Sequence, residues 1–177
     1  ASPNPYKKSN YKSQLSVPNE LTLRTGPEGN PVLYSNPVKE LNGLRKDQYI
    51  RENVQISDEV FKSEFHSELS DIQLEVDMKE AKEFMIEIRG VPVVYNKIQN
   101  LLIVENQTVP IETENDMITL RILVDRASIE IFCNGGRKAI FITKLMNPLD
   151  KNYTFKAKGG IAVINELNMY SLGSAWH

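Results

Sequence analysis

Any chemistry in this chain of 177 residues would have to come from a short list of side chains. Glu112 with Glu114, and Glu75 with Asp77, are carboxylate pairs at i,i+2 spacing. On a strand, each pair points to one face. That puts the two carboxyls within the roughly 5–10 Å over which acid, base or nucleophile can share the cleavage of an acetal. A solvated strand face produces the same spacing, because half-exposed antiparallel strands carry charges at alternate positions. Neither pair is accompanied by a loop that could enclose a substrate. Asp125 and Arg126 sit where one alternating segment turns into the next, and a hydrogen-bonded corner is the commoner use of such a pair. Cys133 lies on the apolar face of its segment, where a buried thiol packs as a small hydrophobe rather than reacting. As the single cysteine it excludes an internal disulfide and a zinc site built on several thiolates. Nucleophile–base chemistry would need His66 or His177, and neither belongs to a local motif. HExxH, GxxxxGK[ST] and GxGxxG are all absent. No catalytic residue, metal ligand or cofactor is assigned.

Binding surfaces are as thinly marked. Exposed aromatic rings stack on the apolar faces of sugars, which makes Tyr34, Tyr49, Tyr95, Tyr170 and Trp176 candidates, although aromatic residues inside strands usually belong to the core. The sequons Asn106-Gln107-Thr108 and Asn152-Tyr153-Thr154 are of a kind that chance supplies in a chain rich in Asn, Ser and Thr. With 21 basic and 23 acidic residues, the formal charge of -2 argues against a nucleic-acid partner. No apolar run approaches the roughly 20 residues needed to span a bilayer, and residues 1–20 lack the apolar centre of a signal peptide.

The elements that would carry these side chains are strands. Residues 1–16 are polar, rich in Asn, Ser, Lys and Pro, and read as a linker. Glu20–Arg24 and Pro31–Tyr34 flank a dense cluster of turn residues and form a hairpin with a long loop. Val38, Leu41 and Leu44, three apart, fit either a short helical turn or an irregular strand. Strict alternation follows: Ile72, Leu74, Val76 and Met78; then Phe84, Ile86 and Ile88; then Val91–Tyr95 and Leu101–Val104 as a hairpin. In the clearest block, Ile118, Leu120, Ile122 and Val124 share a face, with Leu123 as the apolar exception. Ile129, Ile131 and Cys133 continue the block to Asn134-Gly135, a two-residue hairpin signal, before Ala139–Thr143 returns. Tyr153–Lys158 and Ile161–Leu172 complete the series. No window of 12 residues keeps a 3.6-residue period. The fold class is all-β: a two-sheet antiparallel β-sandwich, jelly-roll or concanavalin-like, over residues 17–175.

Two blocks carry a resemblance. The first is LSVPNELTLR, Leu15 to Arg24, followed by NPVKELNGLR, Asn36 to Arg45. The second is LRILVDRASIEIFCNGG, Leu120 to Gly136. Together they resemble the C-terminal β-sandwich of glycoside hydrolase family 32, the levanases, inulinases and invertases, from about Leu15 to Leu172. Asn19 stands where that family usually has Arg, Ala127 where it usually has Ser, and the connection around Asn96–Asn106 is abbreviated.

The resemblance implies an accessory module, with residues 1–16 as the exit from a preceding five-bladed β-propeller. The family's three catalytic carboxylate motifs, W-[MLI]-N-D-P-[NA]-G, R-D-P and E-C, do not occur in this chain. Its retaining two-carboxylate mechanism is therefore expected to reside in that propeller, and this chain alone is expected to be inactive. The implied partners are the propeller of the same polypeptide and fructan, with a homo-oligomer a further candidate. The implied location is extracellular or periplasmic, with the cytoplasm left open. The alternative reading is a stand-alone fructan-binding module.

Overall fold

A computed structural model describes residues 15–26, 29–113 and 115–173. Glu114, Trp176, His177 and most of the expected linker lie outside the described residues. Two six-stranded antiparallel sheets face each other across one core. The first sheet contains β3 (Arg45–Ile56), β5 (Ser70–Asp77), β10 (Met117–Val124), β11 (Ser128–Cys133), β12 (Lys138–Thr143) and β14 (Ala162–Leu172). Its spatial order is β12-β11-β10-β5-β14-β3. The second contains β4 (Phe61–Lys62), β6 (Glu83–Ile88), β7 (Val91–Asn96), β8 (Leu101–Val104), β9 (Gln107–Pro110) and β13 (Tyr153–Lys158), in the order β4-β13-β6-β7-β8-β9. A hairpin of β1 (Asn19–Thr25) and β2 (Pro31–Pro37) belongs to neither sheet.

The period of two explains the core. Ile72, Leu74 and Val76 of β5 and Ile118, Leu120, Ile122 and Val124 of β10 are buried, in direct register from Ile118↔Val76 to Ile122↔Ile72. Phe84, Ile86 and Ile88 face them from the second sheet with Tyr153 and Phe155. Each such side chain gains roughly 1.5–3 kcal/mol on full burial.

The structure corrects one reading of the sequence, decides another and adds a strand that the sequence pattern did not mark. The Asn134-Gly135 hairpin is not a two-residue turn: Cys133 pairs with Lys138, so the turn takes four residues. Asn134, Gly135 and Gly136 all have positive φ there (48°, 67° and 91°). Two-residue turns lie instead at Arg89-Gly90, between Ile88 and Val91, and at Glu105-Asn106, between Val104 and Gln107. The undecided stretch near Val38 is a 3₁₀ turn, Lys39–Leu44. β3, at 12 residues the longest strand, has no alternation in sequence because it is an edge strand and mostly exposed. In β14, a register shift between Ile164 and Glu166 moves the inward set from Ile164 to Leu167 and Met169, which is why that segment alternates imperfectly.

Candidate functional site

The outer face of the first sheet carries the structure's distinctive polar features. Opposite the core, β5 presents Asp71, whose side chain is 0% exposed. Arg45 donates to its Oδ2 from Nε at 2.9 Å and Nη2 at 2.6 Å. Arg121 donates from Nε to Oδ1 at 3.0 Å and from Nη2 to Oδ2 at 2.9 Å, and its Nη2 also reaches Asn42 Oδ1 at 3.2 Å. Arg45 lies over the Tyr170 ring, 3.9 Å from its centroid. This ion triad ties the 3₁₀ turn and the start of β3 to the middle of the sheet.

Beside the triad, four strands form a groove of about 290 Å³. Residues directly paired across the sheet line it. One row runs Phe132–Arg121–Gln73–Asn168, and the next runs Thr119–Glu75–Glu166. The groove's end wall is the contact between the β1–β2 hairpin and the Asn134–Arg137 turn. There Asn36 Nδ2 donates to the Gly135 carbonyl at 2.7 Å. A Cβ on Gly136 would come 2.3 Å from the Ser35 carbonyl oxygen, so only glycine fits.

A second tie holds the hairpin's entry. Glu130, buried on the outer side of β11, accepts the Val17 N–H at 2.9 Å. Burial raises its pKa above the ordinary glutamate value, outweighing that hydrogen bond, and Asp125 adds to the rise. The folded state therefore binds the proton more tightly than the unfolded one, and stability falls as pH rises through the shifted value. Glu130→Gln keeps the acceptor for Val17 and removes the buried charge. It should raise the Tm at pH 7 by a few degrees, with the gain disappearing below the ordinary glutamate pKa. A thermal melt at pH 7 and pH 4 checks both; a lower Tm at pH 7 would overturn the assignment.

The residues singled out in the sequence scatter. Glu75 enters the groove, where its Oε1 accepts from Asn165 Nδ2 at 3.2 Å. Asp77 instead caps the next turn through the Lys79 N–H, so the two do not act as a pair. Glu112 lies in a loop between strands, and its carbonyl accepts from Asn134. Asp125 Oδ1 accepts the Arg126 N–H, but the Arg126 guanidinium pairs with Glu68 and not with Asp125. Cys133 is buried, and burial pushes its thiol up to about 12, far from a reactive thiolate.

Among the described residues the aromatic candidates do not assemble into a platform. Tyr95 is buried and donates to Asn100 and the Ile111 carbonyl. Tyr49 packs on Phe65, while Tyr34 and Tyr170 lie beneath Arg24 and Arg45. His66 is exposed, and the two sequon asparagines lie at exposed positions. Among the described residues no group of three or more His, Cys, Asp or Glu could hold a metal. Sequence reasoning missed the groove. Its only linear signal is that Gln73, Glu75, Thr119 and Arg121 are the polar positions of two long alternating strands.

Fold and outer face together define a β-sandwich module with a polar groove on one sheet and a separate hairpin at the groove's end. The chain belongs to the family described as glycosyl hydrolases family 32 C terminal, whose model matches residues 40–171. It is 26% identical to a levanase of Bacillus subtilis (strain 168), over 95% of this chain and 28% of that protein. It is 25% identical to a sucrose-6-phosphate hydrolase of Escherichia coli, over 97% of this chain and 37% of that protein. The chain thus spans well under half the length of these relatives. Among solved structures, an exo-inulinase from Aspergillus awamori superposes with a TM-score of 0.81 at 17% identity. That match covers 91% of this chain and 36% of the inulinase, and supports the fold.

Proposed function

We propose that this module is the C-terminal accessory domain of a fructan- or sucrose-hydrolysing enzyme, and that it packs against a preceding catalytic β-propeller of the same polypeptide. The observation that carries this reading is the β1–β2 hairpin. Leu21, Leu23 and Leu33 are 61%, 71% and 56% exposed. They share one hairpin face, with Leu23 directly paired to Leu33. A two-stranded sheet is marginal alone, and an exposed apolar patch marks a surface that something covers. The family model starts at residue 40, beyond the hairpin. The relatives are much longer than this chain and share its hairpin region. A preceding domain is thus the occupant whose position fits.

The test is calorimetric titration of this chain with the separately expressed upstream domain. Saturable binding is expected, and Leu23→Lys with Leu33→Lys should weaken it at least about 100-fold, close to 3 kcal/mol, with no change in the module's own melt. Equal affinity in the double variant would refute this docking face. The module alone should release no fructose from levan, inulin or sucrose; measurable turnover would show that it carries chemistry of its own.

A further inference from the structure

We infer that the groove on the outer face of the first sheet binds the hydroxyl groups of a fructan chain. Its lining is a two-row array of polar side chains, with neighbours about 5 Å apart across strands and about 7 Å apart along them. The first row presents Arg121, Gln73 and Asn168, and the second presents Thr119, Glu75 and Glu166. Several of these groups have no hydrogen-bond partner among the described residues. They include the whole Gln73 carboxamide, the Thr119 hydroxyl, Arg121 Nη1 and the second oxygen of each glutamate.

The second row points to the kind of ligand these groups could receive. Glu166 is directly paired with Glu75 on one side and with Glu52 on the other, and like charges in register destabilise a sheet. Asn168 donates to Glu166 at 2.5 Å and Asn165 to Glu75 at 3.2 Å. These contacts occupy one oxygen of each carboxylate and leave the other facing the open groove. An anion would meet two carboxylates here, and an apolar ligand would leave all these groups unpaired. A cation would compete with Arg121 and find fewer than the three acidic ligands that a site needs. A neutral ligand dense in hydroxyls donates to the glutamates, accepts from Arg121, and does both with Gln73 and Thr119.

At about 290 Å³ the groove is at the lower end of ligand-site volumes and suits a short segment. The choice of fructose as the sugar rests on the function proposed above, whereas the demand for hydroxyl groups comes from the groove itself.

The experiment titrates the full chain with nystose by calorimetry, in parallel with cellotetraose and with calcium chloride. Saturable nystose binding is expected, with a Kd of about 1 mM or tighter. Gln73→Ala with Thr119→Val should weaken it at least about tenfold with an unchanged melting temperature, since neither side chain bonds to any described residue. Absence of saturation, equal binding by the variant, equal binding of cellotetraose, or calcium binding in place of sugar would each overturn the inference. Docking of an upstream domain with no response to nystose would overturn the groove alone. Loss of docking would leave a positive nystose result standing.

Discussion

Replacing Asp71 with alanine lowers the module's unfolding free energy by about 3–5 kcal/mol, measured as a reduced urea midpoint. The cost arises because two guanidiniums lose the counter-charge they share. Arg45 and Arg121 are just 18% and 19% exposed, so water replaces that carboxylate poorly. Four charge-assisted hydrogen bonds disappear together. The damage should be local before it is global. Arg45 opens β3 and Asn42 sits in the 3₁₀ turn, so residues 39–46 should become the first protease-sensitive stretch in the variant. Removing the whole triad is a different perturbation. Asp71→Leu combined with Arg45→Met and Arg121→Met should recover much of the loss, because well-packed apolar residues often replace a buried ion triad at little cost. A single Asp71→Ala variant within about 1 kcal/mol of the parent would show that the triad is decoration.

The same residue marks the limit of what the linear sequence reveals. Asp71 reads as one more polar residue at the start of an alternating strand. Its partners lie 26 and 50 positions away, and only the pairing of β5 with β10 and β14 brings them together. Alternation was legible wherever one face met the core, because period two is imposed by the pleat and burial is strongly rewarded there. It failed on β3, where both faces are largely wet and no burial pattern constrains the residues.

β11 shows an intermediate case. Ile129, Ile131 and Cys133 were readable as core, but Glu130 and Phe132 on the other face are buried too. Val17, brought back from the start of the chain, lies against Glu130, and such long-range covering leaves no local trace. The groove was illegible for a related reason. Its rows run perpendicular to the chain, so residues adjacent in space, such as Gln73, Arg121 and Asn168, are separated by tens of positions in sequence.

Arg89 supplies the second large effect. It occupies the first position of the two-residue turn between β6 and β7 with φ of 49°, a region that side-chain-bearing residues seldom enter. Judged by the turn alone, glycine would be the better residue. The guanidinium supplies the reason for arginine: it is 2% exposed and donates to three backbone carbonyls, Asp150 at 2.8 Å, Glu68 at 2.9 Å and Asn147 at 3.0 Å. Its own N–H adds a fourth tie, to the Asn152 carbonyl. One side chain therefore staples the chain around Glu68 to the loop over residues 144–152.

Arg89→Ala should cost about 4 kcal/mol, less than the sum of three separate charged hydrogen bonds because the freed loops can partly rehydrate. In a domain of this size that is a fall in Tm of roughly 10 °C. Arg89→Gly relieves the positive φ and should regain only a small part of the loss. Arg89→Lys keeps the charge but not the planar fork, and should remain close to alanine. If glycine instead restored the parent Tm, turn geometry would govern the site. If lysine restored it, the buried charge would suffice without the three-way fork.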